Sequence, residues 1–181
     1  MLLANKKVAE KMRKSKERFV YRVHDQPDQE KLKNLQTVVK RLGYNLKLSS
    51  NELNDSLNSL LKKAFGKNEQ NLIDTLMIRS MSKAEYTTKN IGHYGLSFEN
   101  YTHFTSPIRR YPDVMVHRLI QAEIDGEKIK TDETETLCKH STHMEILATK
   151  AERDSVKLMQ IKFMKDKEGK TFDAVISCLL Y

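Results

Sequence analysis

Glycine and proline are scarce in this chain: six Gly and three Pro in 181 residues. Repeated hairpins need those turn formers, so a sandwich or barrel throughout is excluded and long helices are favoured. The sharpest consequence lies between Glu133 and Lys167, a stretch with neither residue. As one helix it would be roughly 50 Å long at ~1.5 Å per residue. Leu137, Met144, Ala151 and Leu158 recur there at heptad spacing, which predicts a helix packed along its length on a neighbour. Gly169 ends it. Thr171–Ser177 then alternates as a strand does.

The rest of the chain reads as shorter elements. Residues 1–18 form a basic amphipathic helix with Ala4, Val8 and Met12 on one side and seven Lys/Arg against two Glu around them. Its charge reads most simply as a solvated face. Arg18–Val23 is β-branched and aromatic, a short strand. His24–Asp28 makes a turn and helix start. Leu32, Leu35, Val38, Val39 and Leu42 make one helical stripe, with Gly43 just past its end. A second helix is predicted from about Asn51, capped by Ser49 or Ser50, to Gly66. A third runs from about Asn68 to Met81. Their Leu and Met stripes are core positions. The expected fold class is therefore α+β, predominantly helical, with several helices including one long C-terminal helix and a few short strands.

Charge and cysteine usage narrow the function classes. Lys+Arg 32 against Asp+Glu 24 leaves +8, which favours an acidic partner such as nucleic acid. No apolar run approaches the ~18 residues of a membrane span, and Met1–Lys7 lacks the basic-then-apolar order of a signal peptide. Cys138 and Cys178, far apart in a Lys-rich chain, argue against a disulfide framework and for a reducing cytoplasm.

Residues 86–118 concentrate the chemistry. Six of the thirteen aromatics fall between Tyr86 and Tyr111, with Pro107, Pro112, Gly92, Gly95, His93, His103 and His117 in the same stretch. Within His103-Phe104-Thr105-Ser106-Pro107-Ile108-Arg109-Arg110-Tyr111-Pro112-Asp113, Thr105 or Ser106 could cap a helix opening at Pro107. Pro112 fits poorly inside a regular helix, so Ser106–Tyr111 is alternatively a separate turn before a helix near Pro112. Arginines at a helix N-terminus oppose its dipole by roughly 0.3–1 kcal/mol each. Two things could offset that. One is a bound anion such as phosphate, gripped by backbone N–H groups and a guanidinium. The other is a salt-bridge cluster with Asp113 and nearby carboxylates. Weaker features are Cys138/His140/His143, which would need a fourth ligand to hold zinc, and Ser106, whose nearest candidate base is His103. Glu152-Arg153-Asp154 is an ordinary solvated cluster unless its face lines a channel. No Gly-rich phosphate loop occurs.

These residues resemble a family. Gly92-His93-Tyr94-Gly95-Leu96, Tyr101–Asp113 and His117-Arg118 resemble the C-terminal half of the RNB-type catalytic domain of the ribonuclease R / ribonuclease II family. Met1–Asn5, Arg22–Pro27, Leu42-Gly43, Arg79–Met81 and Ala151–Asp154 extend the likeness in the same order. His103-Phe104 and Arg110-Tyr111-Pro112 favour the ribonuclease R branch. The resemblance implies a hydrolytic 3′→5′ exoribonuclease that degrades single-stranded RNA to nucleoside 5′-monophosphates with Mg²⁺. It implies that Arg109 holds the scissile phosphate and that Glu152 lies near the terminal nucleotide. Arg110, His103 and Tyr111 become channel residues, and Asn5 falls at a substrate-contacting helix start. It divides the chain into catalytic-domain residues 1–168 and the opening strand of an OB-type RNA-binding domain at 169–181.

The family's D-x-D-D metal cluster has no counterpart: Asp25/Asp28 and Asp132/Glu133 have the wrong spacing and neighbours. The expectation is thus a fragment of a larger enzyme, inactive alone, with the Mg²⁺ ligands outside this chain and with self-association through exposed apolar surface. The alternative is a non-catalytic basic RNA-binding module or helical scaffold.

Overall fold

The computed structural model describes residues 1–15, 18–49, 52–127 and 133–173. Among them are six helices and one two-stranded antiparallel sheet, the helical α+β class that the sequence predicts. The chain divides into two compact units, Met1–Asp25 with Lys83–Lys170, and Gln26–Ser82 with Thr171–Tyr181.

The first unit carries the chemistry. Helix α1 (Leu2–Ser15) buries Asn5, Ala9 and Met12. The buried face is thus turned one residue from the predicted Ala4-Val8-Met12 stripe, and Ala4 is exposed. The cause is Asn5, whose side-chain amide donates to Tyr101 Oη at 3.1 Å and accepts from the Phe104 N–H at 3.2 Å. Strand β1 (Tyr21–His24) buries Tyr21 and Val23, the alternation of a half-buried strand.

Further along in sequence, the chain supplies the partner strand, β2 (Ala84–Thr87) within this unit, with Arg22 opposite Tyr86 and Val23 opposite Glu85. After β2 comes a loop ordered by backbone bonds from His24 N to Gly92 O and from His93 N to Phe98 O. The Gly95 N–H donates to His24 Nδ1 at 2.9 Å, and a Cβ there would stand 2.8 Å from that nitrogen. Helix α5 (Tyr111–Asp125) contributes Met115, Val116 and Leu119 to the core.

The long helix exists as α6 (Thr134–Lys165). Its first half meets β2: Thr142 Oγ1 accepts the Tyr86 N–H at 2.9 Å, and Glu135 accepts from Thr87 Oγ1, Thr88 N and Thr88 Oγ1. The expected packing along its whole length is corrected. Every residue from Ala151 to Lys165 is exposed, Leu158 and Phe163 included. Cys138 is the one heptad-region side chain fully buried, where burial pushes its thiol up to about 12. Of the predicted strand Thr171–Ser177, residues 171–173 carry no strand pairing and the rest lies outside the described residues.

The second unit is three helices. Asp28 caps α2 (Gln29–Arg41) by accepting the N–H groups of Glu30 and Lys31. Gly43, at φ +84°, closes it as predicted. Helix α3 (Leu53–Ala64) opens at Glu52 with no side-chain cap bond, two residues later than expected. The Ser50 named as a possible cap lies outside the described residues. Helix α4 spans Gln70–Ser80. Leu32, Leu35, Val39, Leu57, Leu60 and Ile73 share one core.

Candidate functional site

Pro107 does not open a helix. Ser106–Arg110 is a turn, held by the N–H groups of Arg109 and Arg110 on Ser106 O. Helix α5 starts after it with Pro112 in its first turn, where the missing N–H costs nothing. Arg110 occupies the N-cap position, so the two arginines stand immediately before a helix N-terminus rather than inside one.

Their fates differ. Asp113 is fully buried. Its Oδ2 accepts the Ser106 N–H at 2.7 Å and Arg110 Nη2 at 2.9 Å. Arg110 Nε lies 2.9 Å from Oδ1, close enough for attraction though outside hydrogen-bond alignment. The salt-bridge reading therefore describes Arg110: its charge is neutralised and its fork fixes the turn. Arg109 is exposed and makes no ion pair among the described residues. The phosphate reading rests on Arg109.

Arg109, Arg110 and Tyr111 form one side of an open cleft of about 720 Å³. The other side is α6, through Ser141, Glu145, Thr149 and Glu152, which share one face at 3- and 4-residue steps. Tyr86 is also in its lining. Glu145 receives both guanidinium arms of Arg22, Nη1 at 2.6 Å and Nη2 at 3.1 Å. That guanidinium lies 4.5 Å from the centre of the Tyr86 ring. Glu152 is exposed and has no ion-pair partner among the described residues, so the two sides of the cleft present one unneutralised cation and one unneutralised anion.

His103 is absent from the lining and supports it from behind. Its Nδ1 is 2.8 Å from Tyr86 Oη, and its ring stands edge-on to Tyr86 and Tyr101. Burial, aided by Arg110 and Arg22, lowers it to about 4, so it is a neutral imidazole at pH 7. Burial also pushes the Tyr86 hydroxyl up to about 12. Phe104, next in the chain, stacks on His117 at 4.2 Å.

Of the six site residues expected from sequence, Arg109, Arg110, Tyr111 and Glu152 come together in the cleft. His103 is one contact removed. Asn5 is buried with both ends of its amide occupied by the Tyr101–Phe104 segment. Arg22, Tyr86 and Glu145 were not foreseen. A lone arginine inside an apolar alternating strand, and a glutamate seven residues before Glu152, were the signals available. The Cys138/His140/His143 triplet is not assembled, because Cys138 is in the core while His140 lines the cleft.

The profile described as the RNB domain matches residues 1–126. This chain belongs to the RNB domain family. Ribonuclease R of Aquifex aeolicus is 36% identical over 98% of this chain and 26% of its own length. Mycoplasma genitalium RNase R, solved in complex with ribose methylated single-stranded RNA, superposes with a TM-score of 0.89 at 27% identity. The match covers 99% of this chain and 30% of that one. Yeast Ssd1, described as a pseudonuclease, superposes at 0.63 with 28% identity over 78% of this chain and 18% of its own. The chain thus spans about a quarter of the length of the curated relatives it matches. Among the described residues, no group of three or more His, Cys, Asp or Glu side chains able to hold a metal ion comes together.

Proposed function

We propose that the cleft is the phosphate-gripping side of a hydrolytic exoribonuclease site, one that removes nucleoside 5′-monophosphates from the 3′ end of single-stranded RNA. The observation that carries the reading is the split between neighbouring arginines: Arg110 is neutralised by buried Asp113, while Arg109 lines the cleft with no ion-pair partner among the described residues. A guanidinium held on a turn that is itself tied to Asp113 is preorganised for charge developing on a phosphate, with little left to reorganise during reaction. Tyr111 lies beside it, and Glu152 faces the terminal nucleotide from α6.

Magnesium belongs to the proposal as well, with ligands outside this chain. The chain alone is accordingly expected to hydrolyse nothing. Cytoplasmic residence and self-association through the exposed α6 surface complete the reading. A second reading, a non-catalytic basic RNA-binding module, is favoured by the lack of a metal-holding group among the described residues.

Two experiments test these readings. Purified chain with Mg²⁺ and uniformly labelled RNA is expected to release no labelled mononucleotide; release would overturn the expected inactivity. In a chimera carrying residues 1–168 in place of the matching stretch of Aquifex aeolicus ribonuclease R, Arg109→Ala is expected to lower turnover by roughly 10²–10³. RNA affinity should fall less than tenfold. Unchanged turnover refutes the role of Arg109, and a chimera that binds RNA but never turns over supports the second reading.

A further inference from the structure

Helix α1 has two faces with different occupations. One is in the core through Asn5, Ala9 and Met12. The other is exposed and carries Lys7, Lys11 and Lys14, one above another at i, i+4 and i+7. Along the axis their steps are about 6 Å and 4.5 Å. Among the described residues a single carboxylate, Glu10, serves this surface, 2.8 Å from Lys7 and 3.8 Å from Lys6. Lys11 and Lys14 have no ion-pair partner among the described residues.

Stacked like charges at these spacings destabilise a helix by roughly 0.2–0.5 kcal/mol per pair. The helix dipole compensates Lys14 in the last turn and Glu10 pairs with Lys7, which leaves Lys11 with neither. An external anion would offset the rest. We propose that this ridge is a second contact surface for single-stranded RNA, separate from the cleft, with Lys7, Lys11 and Lys14 meeting successive phosphates of one strand.

The chemistry favours RNA over other polyanions. An interfacial membrane helix inserts its apolar face, and here that face is buried in the protein. A protein partner would need an apolar interface centre, from which lysine is depleted, and the ridge offers three lysines in a row. Phosphates spaced by a few ångström along a strand match a linear array of point charges, and an ammonium on a flexible stem needs no fixed fork to meet them. The inference does not depend on Arg109 or on hydrolysis.

The test is the salt dependence of fluorescein-labelled U12 binding to the full chain, read by anisotropy between 50 and 200 mM KCl. K7Q/K11Q/K14Q is compared with K33Q/K40Q/K62Q, an equal loss of charge at exposed lysines elsewhere. Three phosphate contacts to a single strand correspond to about 2 units of slope in log K against log [salt]. The parent is therefore expected to lose roughly 20-fold more affinity over this range than the ridge variant. The control should match the parent, and the same difference should persist in an Arg109→Ala background. K11Q alone, expected to remove about 0.7 of slope, serves if circular dichroism shows the triple variant unfolded. Equal slopes for parent and ridge variant overturn the proposal. So does ridge-dependent binding of an acidic peptide or of anionic vesicles under conditions where U12 does not bind.

Discussion

At the scale of single residues, the buried polar groups of this protein do more than the exposed ones. Asn5 resembles a substrate contact in sequence, yet its amide joins α1 to the Tyr101–Phe104 segment that leads into the arginine turn. Asn5→Ala leaves the half-buried Phe104 N–H and the buried Tyr101 hydroxyl without this partner, at about 1–3 kcal/mol for an orphaned group. Urea unfolding should show a loss in that range; a loss under 0.5 kcal/mol would mean water replaces the amide. His93 and His103 set a pH dependence. Both are lowered from 6.5 to about 4, chiefly by burial. The native state therefore stays unprotonated at these rings between pH 6.5 and 4 while the unfolded chain takes up protons. Stability is expected to be full above pH 6.5 and to fall as pH drops toward 4. Denaturant midpoints at pH 7, 5.5 and 4.5 check this, and His103→Gln should flatten the profile. No periodicity in the sequence could have announced Arg22, whose value comes from Tyr86 across the sheet and Glu145 on α6.

At the scale of elements, helix positions were legible where local chemistry sets them. Asp28 and Gly43 bracket α2 because an acceptor is needed at one end and a left-handed residue at the other. No atom would touch a Cβ on Gly43, so Gly43→Ala should cost only backbone strain, about 1–2 kcal/mol. Asp28→Ala should cost ~1 kcal/mol. Thermal melts of the two variants and their double should show additive losses, since the sites are at opposite ends of the helix. What was not legible is which side of an element meets a partner. The apolar pattern of α1 points one residue away from the observed face because hydrophobicity alone does not count a buried asparagine. The heptad of α6 is real in sequence, yet only its first half has a neighbour among the described residues. Strand β2 was missed because four residues, Ala84–Thr87, carry too little alternation until β1 is known to pair with them.

At the scale of the whole molecule, the string around Arg109 was enough to indicate the family. The two-unit division was not readable, because one unit is assembled from segments separated by 57 residues that no Gly- or Pro-rich linker marks off. Two global properties then act against each other. A net charge of +8 repels like copies, while α6 exposes Leu158, Met159, Ile161 and Phe163, a surface that gains by being covered. Salt screens the first and leaves the second intact. Self-association should therefore strengthen as salt rises, whereas RNA binding through lysine and arginine contacts should weaken as counterion release loses its advantage. Sedimentation velocity at 50 and 500 mM KCl should show the average mass increasing with salt in the parent and remaining monomeric in Leu158→Glu/Phe163→Glu. Anisotropy with labelled RNA should move in the opposite direction and be insensitive to that double substitution. Association that falls with salt alongside RNA binding would instead mean that copies adhere through their charges, and would remove the exposed face of α6 as the cause.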